Sequence, residues 1–198
     1  MRIIGRLIVP ILAIGVAIYI ITNGQLTYDN LANELFGAFL FTFIFFLVQN
    51  TFAPHLRISG RIAKYKVKKK KYEYYFKFVN LSISSIRDVK ILVLAPQMMS
   101  VPDGTIKKVK DLPIDIDYIH SVNGFFSSFR KEHRNNTCII KLPREVENIL
   151  SDHTQSIEIR ISCRDAIVGR ENTFIMSFYN ENVILEGKFK FGLSTKIV

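Results

Sequence analysis

The sequence predicts a membrane protein: two N-terminal transmembrane helices followed by an all-β antiparallel small barrel or sandwich of about eight strands with one short helix. Three observations lead there. Residues 7–21 and 35–48 are two runs without a charged side chain. Beyond residue 54, short segments of alternating apolar and polar residues are separated by turn-forming residues at close intervals. The composition is 48% hydrophobic and only 22% charged with a mean hydropathy of +0.18, which excludes intrinsic disorder and suits a chain with embedded segments.

From Leu7 to Ile21 every residue is apolar, Gly or Pro, and no charge follows until Asp29. That matches the roughly 20 residues needed to cross a hydrocarbon core of about 30 Å. Pro10 lies near the start, where it distorts only the first turn, and Gly15 offers a notch for a neighbouring helix. The second run, Leu35 to Val48, carries Phe36, Phe39, Phe41, Phe43, Phe45 and Phe46, spread around a helix so that most face lipid. A cleaved signal peptide is the rival reading of the first run, with Arg2 and Arg6 as its charged leader, but residues 21–25 hold no small-x-small cleavage site. The connector at 23–34 has no Lys or Arg while both flanks do. The positive-inside rule therefore places both termini of a multi-pass chain in the cytoplasm; the inner membrane as its location is implied by the resemblance described below.

The expected organisation is a two-helix region at 1–54, a basic juxtamembrane segment at 55–71 and a cytoplasmic β domain at 72–198. The net charge is +10. Ten basic and two acidic residues precede Tyr72, so eight of the ten surplus charges lie there. Such concentration argues against a broad nucleic-acid-binding face. Arg57, Arg61, Lys64, Lys66, Lys68, Lys69, Lys70 and Lys71 form the basic segment, expected either to contact anionic headgroups, at about 1 kcal/mol each, or simply to anchor the topology.

In the β domain, Tyr72, Tyr74, Phe76 and Phe78 alternate with other residues and place four aromatics on one face of a strand. Ile157, Ile159, Ile161 and Cys163 alternate with Glu158, Arg160, Ser162 and Arg164, the clearest half-buried strand in the chain. Further strands are expected at 89–95, 105–112, 124–129, 138–142, 173–179 and 187–194. Pro143 to Leu150 reads as the one short helix, with Pro143 at the first helical position.

The chemistry-bearing residues do not form a catalytic motif. Cys138 and Cys163 sit on separate apolar strands and read as buried thiols. His55, His120, His133 and His153 lack metal-ligand spacing, and no Gly-rich phosphate loop or nucleophile elbow is present. Asp115 and Asp117 are the nearest approach to a paired-carboxylate site, and a solvated edge is the favoured reading. No enzyme activity, metal or cofactor is expected. A ligand site is expected from Tyr118 and His120, which share one side of a strand, with Arg130, Arg160, Arg164 and Arg170; aromatic faces stack on a base and guanidinium groups grip phosphate. Phe125, Phe126 and Phe129 lie close by in sequence. Core aromatics and surface arginines are the plainer alternative.

With its helices at 7–21 and 35–48, short connector and strand-rich remainder, the chain resembles the two-transmembrane β-barrel effectors of bacterial cyclic-oligonucleotide antiphage systems. That resemblance implies a cytoplasmic β domain that binds a cyclic nucleotide, a homo-oligomer in the lipid bilayer, and membrane disruption in antiviral defence. A second, partial likeness is to the cytoplasmic domain of inward-rectifier potassium channels, carried by residues 76–81, 88–91 and 181–189. The 23–34 connector is too short for a pore helix, and no Thr-Val-Gly-Tyr-Gly type filter is present. The leading expectation is a ligand-triggered membrane effector; the alternative is a membrane-tethered, non-catalytic β-sandwich module that recruits a partner or senses lipid.

Overall fold

A computed structural model describes residues 15, 31–68, 71–124, 136–152 and 154–198. The chain divides into two compact units, Met1–Ala53 and Pro54–Val198. In the first, helix α1 spans Leu31–Thr51. Its Phe39 and Phe43 rings stack one helical turn apart at 6.4 Å, and the hydroxyl of Thr42 donates to the Ala38 carbonyl.

The expected pair of membrane spans is corrected here. Among the described residues no helix is long and apolar enough to cross a membrane. The physical reason lies in the apolar run from Leu35 to Val48, bounded by the charged Glu34 and by the polar Gln49 and Asn50. At about 1.5 Å per residue it covers about 21 Å, short of a hydrocarbon core of about 30 Å. The other expected span, at 7–21, lies outside the described residues except for Gly15, where an added Cβ would meet nothing within 4 Å. The multi-pass inner-membrane assignment and its cytoplasmic termini lose their basis with the spans.

The second unit contains ten described strands in two five-stranded sheets. The first sheet holds β1 (Leu56–Ile58), β2 (Ile62–Lys68), β3 (Lys71–Asn80), β7 (Thr137–Leu142) and β10 (Ile184–Glu186). The second holds β4 (Ile86–Val101), β5 (Gly104–Asp111), β6 (Tyr118–Val122), β8 (Ile157–Asp165) and β9 (Glu171–Phe178). Helix α2, Glu145–Ser151, follows β7 and buries Val146, Ile149 and Leu150; it starts two residues after Pro143 rather than on it.

One core lies between the sheets. Phe76, Phe78, Ile62 and Ile140 from the first meet Ile91, Val93, Ile159 and Ile161 from the second. Strand β8 alternates as expected, with Ile157, Ile159, Ile161 and Cys163 inward. Among the described residues no strand of one sheet pairs with a strand of the other, which makes the unit an open sandwich. It is not wholly antiparallel, because β10 runs parallel to β2, Ile184 opposite Ile62.

The expected juxtamembrane segment is instead part of this sandwich. Strands β1 and β2 pair with β3, so their basic residues decorate a sheet. Lys64 bonds Glu147 of α2 at 2.6 Å with its ammonium 4.5 Å above the Tyr72 ring, and Arg61 donates to the Asn182 carbonyl at 2.6 Å. Arg57, Lys66 and Lys71 are exposed. The side chain of Lys68, together with Lys69 and Lys70, lies outside the described residues. The expected strand at 187–194 is replaced by a strap: the amides and carbonyls of Lys188 and Val198 bond each other, and Gly187 and Gly192, at φ 137° and 79°, interrupt extended backbone.

Lys77 fastens this strap. Phe76 and Phe78 face the core, so Lys77 points to the opposite face, yet only 1% of it is exposed. Its three ammonium protons go to the carbonyls of Lys190, Gly192 and Ser194 at 2.8, 2.6 and 2.7 Å, which uses its full donor capacity. Burial holds its pKa below the ordinary lysine value.

Two outcomes follow. Lys77→Met should speed hydrogen exchange at the amides of Lys188, Lys190 and Val198 while β8 stays protected; unchanged exchange there would deny the fastening role. A Cβ at Gly124 would lie 2.2 Å from the Ser84 carbonyl oxygen, backbone that cannot yield cheaply. Gly124→Ala should therefore lose about 1–3 kcal/mol in denaturant unfolding, whereas Gly60→Ala, where the space is open, should change stability by less than about 0.5 kcal/mol.

Candidate functional site

The site begins with a break in the pattern of β4. Ile86, Val89, Ile91 and Val93 are all buried, but Ile86 and Val89 are three apart, whereas strand alternation demands an even number. One extra residue must be absorbed between them. The pairing with β8 shows it: Arg87 lies opposite Arg164 and Lys90 opposite Ser162, with a register shift between them. Asp88 takes up the kink at φ 50°, the only described non-glycine residue with positive φ. An aspartate tolerates this region better than most side chains, at a strain of about 1–3 kcal/mol.

The Asp88 carboxylate is held from two sides. Tyr118 of β6 donates its hydroxyl to Oδ1 at 2.7 Å. Arg164 of β8 directs Nε and Nη2 to Oδ2. The Tyr118 hydrogen bond, then Arg164, and at longer range the charge of His120, hold the Asp88 carboxyl below its usual pKa. Donation to that carboxylate raises the Tyr118 phenol above its own.

Around this cluster lies a depression of about 560 Å³ lined by Asp88, Lys90, Tyr118, Ser162, Arg164, Glu171, Asn172 and Thr173, with Cys163 at its base. Ser162 and Thr173 bond each other through their hydroxyls at 2.9 Å. The lining pairs charges of both signs: Lys90 and Arg164 against Asp88 and Glu171.

The six residues expected to bind ligand separate here. Tyr118 and Arg164 line the depression, and His120 is near enough to act on Asp88. Arg160 lies two positions from Ser162 along β8, so on the same face, where it pairs with Glu158. Arg170 stands in the β8–β9 turn, its carbonyl accepting the Asp165 amide at 2.9 Å. Arg130 and the neighbouring Phe125, Phe126 and Phe129 lie outside the described residues. Asp88, Lys90, Glu171, Asn172 and Thr173 were not expected; the three-residue step from Ile86 to Val89 was the available signal for the first two.

Other chemistry is sparse among the described residues. Asp115 and Asp117 are exposed in the β5–β6 connection. No group of three His, Cys, Asp or Glu could hold a metal ion. Cys138 and Cys163 are free thiols, pushed by burial up to about 11 and about 12, so neither is a ready nucleophile at neutral pH.

No family model matches the chain, and no curated protein matches it. Among solved structures, the sporulation control protein Spo0M from Bacillus subtilis matches with 8% identity and a TM-score of 0.35, over 65% of this chain and 49% of that one. The chain thus spans about half the length of that protein, and a likeness at this level assigns neither fold nor function.

Because the Asp88 pKa is depressed in the folded chain, its bonds add stability above the ordinary carboxylate range, and that contribution fades as pH falls through the depressed value. Arg164→Ala should move the Asp88 carboxyl titration, followed by carbon NMR, upward toward its ordinary value. An unmoved titration would mean that Arg164 does not hold the carboxylate in solution.

Proposed function

We propose that the β sandwich is a non-catalytic recognition module whose depression at Asp88 receives a phosphate-bearing nucleotide. The observation carrying this reading is the Asp88–Tyr118–Arg164 cluster, held on a strained bulge. Strain of this kind persists where surrounding structure over-determines it, commonly at binding sites.

The chemistry of the lining supports the ligand class. Lys90 and Arg164 offer cationic donors to a phosphate, while Asp88 and Glu171 accept N–H groups such as those on a base edge. The Tyr118 residue is 47% exposed, enough ring face for a base to stack upon. The Arg164 side chain is 52% exposed and that of Asp88 28%. A pair so open to water contributes little to stability, so a ligand phosphate can compete for the guanidinium at small energetic cost. The membrane-disrupting part of the initial expectation needs two spans per protomer and is not carried forward; recognition by the β unit does not depend on it.

Calorimetric titration of the full chain with a cyclic dinucleotide, ATP and inorganic phosphate tests the proposal. Saturable binding of a nucleotide is expected, tighter than that of phosphate. Arg164→Ala should weaken it at least about tenfold, the usual loss for one hydrogen bond to a charged group. No binding by any of the three probes, or binding indifferent to both Arg164→Ala and Lys90→Ala, would refute it.

A further inference from the structure

The two sheets expose several strand edges, and they are not equally protected. Strand β5 carries Lys107, Lys108 and Lys110 along its length, the usual guard against further pairing. Strand β7 is six residues long with Lys141 in it, and β10 has only three. Strand β9 differs from all of these. It runs eight residues, ENTFIMSF, with its single charge, Glu171, at one end and no Pro, Gly or Lys. Its pairing with β8 is continuous from Glu171 to Phe178 without a bulge. Its other side has no strand neighbour among the described residues.

The side chains along this edge are incompletely covered. Ile175 is 57% exposed and Tyr179, just beyond the strand, 67%, while Phe174 and Met176 pack on the core but remain only partly buried. A long edge strand without Lys, Pro or a bulge, with Ile175 open on its outer face and, among the described residues, only its Thr173 amide met by a side chain, that of Asn172 at 2.9 Å, is a template for an added strand.

We infer that β9 is an interface, and that its occupant is β9 of a second copy of this chain, paired antiparallel about a twofold axis. The sequence is self-complementary in the required register. Any axis centred on a residue keeps like faces opposite one another, and centring it on Ile175, 57% exposed, covers the strand's most exposed apolar side chain. Ile175 then meets its own counterpart on the outer face, Phe174 meets Met176 of the partner subunit on the core face, and Thr173 meets Ser177 of the partner subunit. The lone charges fall at opposite ends of the seam, each Glu171 beside Tyr179 of the partner subunit. The same operation applied to β5 would set lysines against lysines, which is unfavourable. An isologous contact of this kind closes at two copies.

Analytical ultracentrifugation of the full chain and thiol cross-linking test the pairing. Ile175→Cys should give a covalent dimer on mild oxidation or with a short bismaleimide, and Thr173→Cys, which faces Ser177 of the partner, should give far less. Ile175→Lys places two like charges together on the axis, at a position exposed enough to leave folding intact, and should yield monomers at concentrations where the unmodified chain is dimeric. Equal cross-linking at positions 175 and 173, or self-association unchanged by Ile175→Lys, would overturn the inference. Association through the phenylalanines of α1 gives the latter result. A monomeric unmodified chain across the accessible concentration range would overturn it as well.

Discussion

Everything in the second sheet is arranged around one extra residue in β4. Ile86 and Val89 can both reach the core only if the backbone absorbs a residue between them, since without the bulge the strand's phase inverts and one end presents its polar set inward. Strand β4 pairs with β5, β6 and β8, so an error of phase there would propagate into all three. The solution places Asp88 in left-handed backbone with its carboxylate between Tyr118 and Arg164. Core packing and the proposed recognition surface thus come from the same local distortion.

A comparable economy governs the first sheet. Its aromatic face meets the core through Phe76 and Phe78, but Lys77 between them is buried as deeply by the terminal strap. An ammonium surrounded by three carbonyl oxygens is satisfied without a counter-ion, and none of the described ion pairs includes it. The sheet is therefore covered on both faces where Lys77 lies. Further down, Lys64 ties α2 to the sheet through Glu147, with Tyr74 donating to the same carboxylate. Lys64, one of the basic residues that suggested a membrane surface, thus ties a helix to the sheet, while Arg57, Lys66 and Lys71 remain exposed on it.

Much of the strand content was legible because period-two alternation survives in β3 and β8 and because turn residues mark their ends. The misreadings have specific causes. In β2 the lysines alternate with Ala63, Tyr65 and Val67, but beside an apolar run they read as an anchor. The phenylalanine-rich run read as a span because no charge interrupts it, although its apolar part ends at Val48. Parallel pairing of β10 with β2 joins residues more than a hundred positions apart, which no local pattern encodes. Of the site, Tyr118 and Arg164 could be picked out as an aromatic and a guanidinium on exposed strand faces. Their meeting through Asp88 could not, because it depends on the register between three strands; only the three-residue step in apolar spacing hinted at the bulge.

The central claim is that the ligand-free chain holds Asp88 in the left-handed conformation, with its carboxylate already engaged. The most direct measurement is the backbone φ at Asp88 in the full-length chain without ligand, from NMR scalar couplings and carbon shifts. The expected result is a positive φ, with a nuclear Overhauser contact between the Asp88 and Tyr118 side chains. An extended Asp88 in uninterrupted register with β8 would contradict the account, because the recognition surface would then not exist before its ligand.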